Sequence, residues 1–527
     1  MERNLFFKRN LNYLSNQPSG MIEKKQYDSD FCGSLPINFI NSIQDYGYVF
    51  VLEREHLSII QVSENVTAVL NSSFQQLIGM PFESIVATSD FAKLKKIFSE
   101  KNAIKIPMTL SLKHDNQAFY SLIHVYPKHF IIEMESVDTL KGRKFTEVFQ
   151  EVKNLSGEIE HADSVIEVCN IAVKELRKLS GFDGVLMYTF DENWNGRVIA
   201  EDKDPRLEQY LGQTFPASDV PKQARELYLK NPYRLIPNRN YKPSRLYPVI
   251  NPITNSFTDL SSCNLRGVPG VHLEYMGNMG INASMSIRVI KNGQLWALIS
   301  CHNIEPMYLD YEICSVFEWL SIVISNKISL IINQEEYNFS IDLQSKRTAL
   351  TDRIYAGEDI TEGLISSEWP NILSLFNAGG AAVIISSRTE TIGSVPEKDD
   401  LENLLLWLEG KNVNKVFSSS HLSGLYDDAA AYADCGSGIL VIPIDSERGD
   451  YVICFRPEVV ETIDWGGNPN EAINFEPDGK AYHPRNSFKL WKERLLMHSD
   501  PWNPEELEVA DSLRNFLFEF RTRQLYS

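Results

Sequence analysis

A lone thiol, Cys32, sits in a polar lead-in, QYDSDFCGSLP, ahead of the first strand-like segment of this 527-residue chain. Far downstream comes FPASDVP, Phe215 to Pro221, a small-residue corner that holds a carboxylate, Asp219, between two prolines. Together they suggest a nucleophilic sulfur in an N-terminal arm that serves a pocket built from distant chain, the layout of a covalently held cofactor. The corner also reads as a plain helix start, with Ser218 or Asp219 as N-cap and Pro221 in the first turn. Tyr228 and Arg234 follow, and Asp219 and Tyr228 can border one pocket edge.

A second segment, RGVPGVHLEYMGNMGINASMSI, brings Arg266, His272, Tyr275, Ser284 and Ser286. His272 and Tyr275 share a face if their stretch is helical. Ser284 and Ser286 alternate onto one face of a strand. A single histidine is most often a core or surface residue. Two arginines, two serines, two histidines and a tyrosine together suit a large ligand with carboxylate tails and polar ring atoms. Cys301 and His302 are neighbours, but on a strand they point to opposite faces and cannot form a nucleophilic dyad. No GxSxG, P-loop, HExxH or GxGxxG sequence is present.

The elements that must position these groups fall into about three domains at this length. Hydrophobic residues make up 43% and aromatics 11%, enough for packed cores. The net charge of −19 argues against a nucleic-acid or anionic-membrane surface. Seven scattered cysteines without CxxC spacing read as free thiols, with no disulfide framework and no zinc site. The N-terminus lacks the apolar core of a signal peptide, so a cytoplasmic protein is expected.

Residues 1–31 read as a polar arm, and alternating segments from Tyr46 to about Val137 as a strand-rich α+β domain. A helix over Gly142–Leu179 leads into a second sheet with helices on one face. It closes with a helical apolar stripe, Ile313 to Ile332, interrupted by Glu318, Asn326 and Lys327, which argues against a membrane span. That stripe suits either a domain core or a helix shared between a core and a dimer partner. A third block begins near Asp342. Inside it, WGGNPNEAINFEPDGKAYHPRNSF has no clear period and reads as a functional arm.

These residues resemble the photosensory module of a bacteriophytochrome, with PAS, GAF and PHY domains in tandem. The likeness rests on Cys32 before the first domain, FPASDVP, Arg266 with His272, the NMG at Asn278–Gly280, Cys301–His302, and PRNSF at Pro484–Phe488. It implies an α+β fold of three antiparallel sheets with helices, linked by long helices. The domains are then PAS at 32–138, GAF at 139–335 and PHY at 336–515, with a tongue at about 446–496 and a C-terminal helix at 516–527. It also implies a figure-eight knot between the N-terminal arm and the GAF domain.

The implied cofactor is biliverdin IXα, thioether-linked to Cys32, because Val271 stands where other relatives carry their attachment cysteine. By the same resemblance Asp219 and His272 surround the pyrrole nitrogens. Arg234, Arg266 and Tyr228 hold one propionate, and Ser284 and Ser286 the other. Tyr188, Phe215 and Tyr275 pack around the rotating ring, His302 meets its carbonyl, and Arg485 pairs with Asp219. Departures are Val220 in DVP, Pro269, Gly277 and Asn303.

The expected function is red/far-red light sensing by bilin photoisomerisation, in a parallel homodimer that signals to an output domain beyond Ser527. The chain carries no catalytic residues of its own on this reading, and no metal, nucleic acid or membrane partner. The alternative is a PAS/GAF regulatory module that binds a small metabolite or cyclic nucleotide, which would have no use for Cys32.

Overall fold

Strict apolar alternation builds the first sheet and decides what covers it. Along Gly47–Glu53, Ala118–Val125 and His129–Ser136, the residues Phe50, Leu52, Phe119, Ile123, Phe130 and Ile132 face a core completed by the helix Thr88–Ser99. The intervening Val49, Val51 and Ile131 face the other way and are equally buried, against Leu246, Leu260, Cys263 and Leu265 of the second domain. The computed structural model describes residues 40–99, 105–137, 145–469, 473–475, 482–484 and 487–526. Cys32, Arg485 and the threaded arm of the expected knot therefore lie outside the described residues.

The first sheet is knitted to the second domain by backbone. Its order is Ser42–Ile43, Ser244–Tyr247, Ile59–Ser63, Gly47–Glu53, His129–Ser136, Ala118–Val125, Lys105–Ser111. The strand Ser244–Tyr247 belongs by sequence to the second domain, yet Leu246 pairs with Ser63 and Tyr247 with Val62.

The second sheet runs Tyr233–Ile236, Ala283–Lys291, Gln294–Asn303, Gly184–Phe190, Gly196–Lys203, Thr214–Phe215. Helices Phe145–His161, Val165–Ser180 and the start of Tyr311–Gly357 cover one face, as expected, and the other is left for the site. The sequence predicts one helix over Gly142–Leu179, but there are two. The Ser164 hydroxyl accepts from the Glu167 amide at 3.2 Å and begins a new helix after the break.

The helix Tyr311–Gly357 is 47 residues long. Its apolar part is long and hydrophobic enough by composition to cross a membrane. Here Phe317, Leu320, Ile324 and Ile328 pack into the second domain, and Leu343, Leu350 and Ile354 into the third. The third sheet runs Arg388–Gly393, Gly380–Ile385, Asp450–Arg456, Gly438–Asp445, Phe417–Ser419, and its three central strands are buried on both faces. One face meets the long helix and Pro504–Tyr526, a single helix that buries Leu517 and Phe520 at its far end. The other lies beneath Lys398–Gly410.

The tongue leaves this sheet after Arg456, and both strands of its hairpin, Glu461–Gly466 and Leu490–Leu495, join the second domain's sheet. The spacing of Phe488, Trp491 and Leu495 would equally suit a helix, but Leu490–Leu495 is a strand. Pairing decides the matter, because its backbone completes the ladder from Glu461–Leu495 to Gly466–Leu490.

At the tongue's root, Arg456 Nη2 donates to Glu506 Oε1 at 2.6 Å and to the Phe376 carbonyl at 2.9 Å. Both charged side chains are nearly fully buried, and the guanidinium lies 3.7 Å from the Trp502 ring centroid. Removing one partner of a buried pair leaves an uncompensated charge. Glu506→Ala should therefore destabilise the third domain by about 3–5 kcal/mol in urea unfolding followed by tryptophan fluorescence. A loss below about 1 kcal/mol would mean that water reaches Arg456.

Candidate functional site

The uncovered face of the second sheet forms the floor of a cavity of about 230 Å³. Tyr188, Ser284, Ser286, Leu298, Ser300 and His302 rise from its strands, all on the face opposite the helices. Cys301 points instead into the helical core and His302 into the cavity, so the adjacent pair forms no dyad, as alternation predicts. The helix Gly270–Asn278 supplies His272 and Tyr275 from one side. Phe215, Asp219 and Tyr228 close another, and Arg234 and Arg266 close the end. Every candidate residue within the described part of the chain lines this one cavity.

The corner at Asp219 is not a simple helix cap. Ala217–Asp219 makes one tight turn, and the helix Lys222–Lys230 starts after Pro221 without a side-chain cap. Asp219 Oδ2 accepts instead from the Tyr275 hydroxyl at 2.8 Å. The Tyr275 ring runs nearly parallel to His272 and meets Phe488 of the tongue edge-on, at 5.1 Å between centroids. Phe488 also packs with Leu186, Val198, Tyr210, Tyr188, Phe215 and Met279, and Pro484 lines the cavity. The tongue strand Glu461–Gly466 reaches this edge through Trp465, paired in parallel with Thr214. Gly466 is required there, since a Cβ would come within 2.8 Å of the Phe215 ring.

Charge at the far end is unusual. Burial, and then neighbouring Arg234, push Arg266 down to about 9, and burial lowers Arg234 as well. Among the described residues the Arg266 side chain gives one bond, to the Ser261 carbonyl at 3.2 Å. Arg234 donates to the carbonyls of Asn264 at 3.0 Å, Gly267 at 3.0 Å and Arg266. Much of its donor capacity thus holds the backbone from which Arg266 projects. Two cations close together and largely out of water favour an anionic ligand.

Polar atoms without a partner also call for polar groups on a ligand. Ser218 Oγ and Asn231 Oδ1 are buried in the lining with no hydrogen-bond partner among the described residues. Burial, reinforced by Arg234, pushes His272 down to about 4. Burial and then His272 do the same to His302. At neutral pH both rings are therefore neutral, each able to donate from one nitrogen and accept at the other.

Three departures acquire local reasons. Gly277 makes room for Arg239, whose Nη1 would lie 2.6 Å from an added Cβ and whose Nε is bonded to Asn282 Oδ1 at 2.9 Å. Asn303 faces away from the cavity, accepting from the Asp183 amide and donating to the Glu305 carbonyl, both at 2.9 Å. Pro269 precedes the helix Gly270–Asn278, and its carbonyl takes the His272 amide. Sequence reading missed Ser300, whose hydroxyl lies 3.4 Å from that of Ser286. Its position two residues before His302 on a strand was the available signal. It also missed the apolar lining residues Leu186, Val198, Tyr210 and Ile281, which carried none.

Three family models match the chain: the PAS fold over residues 32–137, the GAF domain over 164–326 and the phytochrome region over 343–525. The chain is similar to cyanobacterial phytochrome B of Nostoc sp., with 36% identity over 494 residues, 93% of this chain and 66% of that protein. It is similar to the bacteriophytochrome of Pseudomonas aeruginosa, with 31% identity over 93% of this chain and 66% of that protein. It thus spans 66% of the length of these curated relatives. Among solved structures it is similar to a bacteriophytochrome from the photosynthetic bacterium R. palustris, with a TM-score of 0.81 and 32% identity, covering 94% of this chain and 99% of that one.

The neutral histidines generate a pH test. In the unfolded chain an imidazole takes up its proton near 6.5, and in the folded protein near 4. Between those values the unfolded state binds more protons, so stability should fall as pH drops from about 6.5 to about 4. His272→Gln and His302→Gln should each remove part of that slope, read from urea midpoints of the bilin-free protein across this range. Slopes identical to wild type in both variants would show that these rings are charged in the fold.

Proposed function

The chain belongs to the phytochrome family, as a PAS-GAF-PHY photosensory module, and from that premise we propose that it is a red/far-red light sensor holding biliverdin IXα. The observation that carries this reading is the pair of guanidiniums, largely out of water, at one end of a mostly apolar and aromatic cavity with a few polar side chains. Such an end asks for carboxylates, and the long lining suits an extended ring system. Arg266 is placed to take one propionate, with Tyr228 beside it and Arg234 steadying the loop. Ser284, Ser286 and Ser300 offer hydroxyls to the other. Neutral His272 and the ionisable Asp219 would surround pyrrole nitrogens, and His302 would meet the terminal ring carbonyl.

When bound, the bilin supplies visible-light absorption and a double bond that can isomerise. The chain's own part is to grip that motion. Tyr188, Phe215, Tyr275 and Met279 wall the end where Phe488 and Pro484 of the tongue sit. A ring turning there must disturb groups the tongue rests upon. The proposed Arg485–Asp219 pair would tie the tongue to the same corner, leaving Asp219 shared with Tyr275. The disturbance would then pass along the tongue to the third domain and the long helix. On that helix Trp319, Ile322, Leu330 and Ile341 are exposed at helical spacing, which suits a parallel dimer. An output domain would follow in the full-length protein.

Attachment is assigned to Cys32. The other six cysteines are buried, and Val271 lines the cavity beside His272 where a pocket cysteine would stand. Purified protein mixed with biliverdin should turn coloured, change spectrum under red light, and show zinc-enhanced fluorescence in a denaturing gel. Cys32→Ser should lose the fluorescent band yet retain reversible colour, because pocket burial and the arginines remain. A fluorescent band in the variant would move the linkage elsewhere. A colourless wild type would favour the metabolite-binding alternative.

A further inference from the structure

Arg266 is held in place partly by a residue of another domain. Glu133 lies on the strand His129–Ser136 of the PAS sheet and is 2% exposed. Its Oε1 accepts from His124 Nε2 on the neighbouring strand at 2.6 Å. Its Oε2 accepts from the backbone amide of Leu265 at 2.6 Å, one residue before Arg266. Burial alone would raise this carboxyl, but the His124 bond and charge and the Leu265 amide together keep it below the usual range. It is therefore an anion at neutral pH, and its bond to the loop is charge-assisted.

The loop around Arg266 is fixed from two directions. From the GAF side, Arg234 takes the carbonyls of Asn264, Arg266 and Gly267. From the PAS side come the Glu133 bond, the Gln44 amide on the Leu265 carbonyl at 2.8 Å, and the Gly267 amide on the Ser42 carbonyl at 2.8 Å. Leu265 is fully buried, with its methyls 2.7 Å from where a Cβ on Gly47 would stand. The loop is thus held from both sides, and of these PAS-side partners only Glu133 acts through a charged side chain.

We infer that Glu133, steadied by His124, is a positioning residue for Arg266, so that the PAS domain sets how strongly the GAF pocket takes the carboxylates of its ligand. This rests on the bilin reading of the pocket. It gives the PAS domain a part in ligand selection although neither Glu133 nor His124 lines the cavity.

The test compares biliverdin with its dimethyl ester, which keeps the ring system but lacks the anionic tails. Wild type should prefer the free acid by about tenfold or more, the range of charge-assisted hydrogen bonds. Glu133→Met removes the acceptor for Leu265 N–H at similar volume. It should weaken biliverdin uptake by about tenfold and leave ester uptake unchanged, so that the preference collapses. Glu133→Gln keeps an amide oxygen for Leu265 and an NH2 for His124, and should retain most of the preference. Should the methionine variant fail to fold, Glu133→Asp, one methylene too short to reach both partners, should show the same collapse in part.

A second readout needs no ligand. Hydrogen exchange of the Leu265 amide in the bilin-free protein should quicken about tenfold in Glu133→Met and little in Glu133→Gln. An unchanged acid-to-ester preference in the methionine or aspartate variant, or an unchanged Leu265 exchange rate, would overturn the inference. A wild type that takes up neither compound would overturn the bilin reading and this inference with it. A wild type that takes up both equally would overturn the inference alone.

Discussion

Two guanidinium groups share a largely dry pocket, and the architecture around them follows from keeping them there. Burial lowers both guanidiniums' hold on their protons, and the Arg234 charge lowers that of Arg266 further. Such a pair is tolerable where backbone carbonyls take up part of its donor capacity and an anion can complete the rest. Arg234 meets the first condition with three carbonyls of one loop. Arg266, bonded to a single carbonyl among the described residues, keeps donors for the second. The sequence offers the two arginines as equivalents, whereas the bonds divide them: Arg234 holds the loop from which Arg266 projects.

The site also depends on sheets that ignore domain boundaries. Ser244–Tyr247 enters the PAS sheet from the GAF chain, and the tongue adds two strands to the GAF sheet from the PHY chain. Strand addition satisfies backbone donors and acceptors whatever the side chains are. It therefore makes a stiff joint whose register can still be lost as a unit. At the GAF edge the described residues show a parallel pairing of Trp465 with Thr214, Phe488 against Tyr275, and the exposed pairs His483–Glu274 and Arg197–Glu461. This edge lies beside the cavity wall formed by Tyr275 and Phe215. At the PAS edge the joint is thick, with backbone pairing, a buried carboxylate and a shared apolar cluster.

Much of this was legible in the chain. Alternating apolar runs defined the strands, and their two-residue period placed Ser284, Ser286 and His302 on one face and Cys301 on the other. The stripe from Ile313 to Ile332 marked the first part of the long helix, whose continuation to Gly357 runs into the segment read as the start of a third block. Two arginines, two serines, two histidines and a tyrosine in these segments suggested a large ligand with carboxylate tails and polar ring atoms. These are local properties, set by backbone geometry within a few residues, and they survive whatever the rest of the chain does.

Tertiary structure decided what local geometry leaves open. The break at Ser164 in a stretch read as one helix turns on a cap that competes with continued winding. Leu490–Leu495 has residues for either helix or strand, and a partner strand far off in sequence settles it. Asp219 reads as a helix cap until Tyr275 claims its oxygen. The division of labour between Arg234 and Arg266, and the reach of Glu133 across a domain boundary, arise from contacts between segments far apart in the chain. No period or motif encodes such contacts, since each residue's type is compatible with several roles and only the assembled packing selects one.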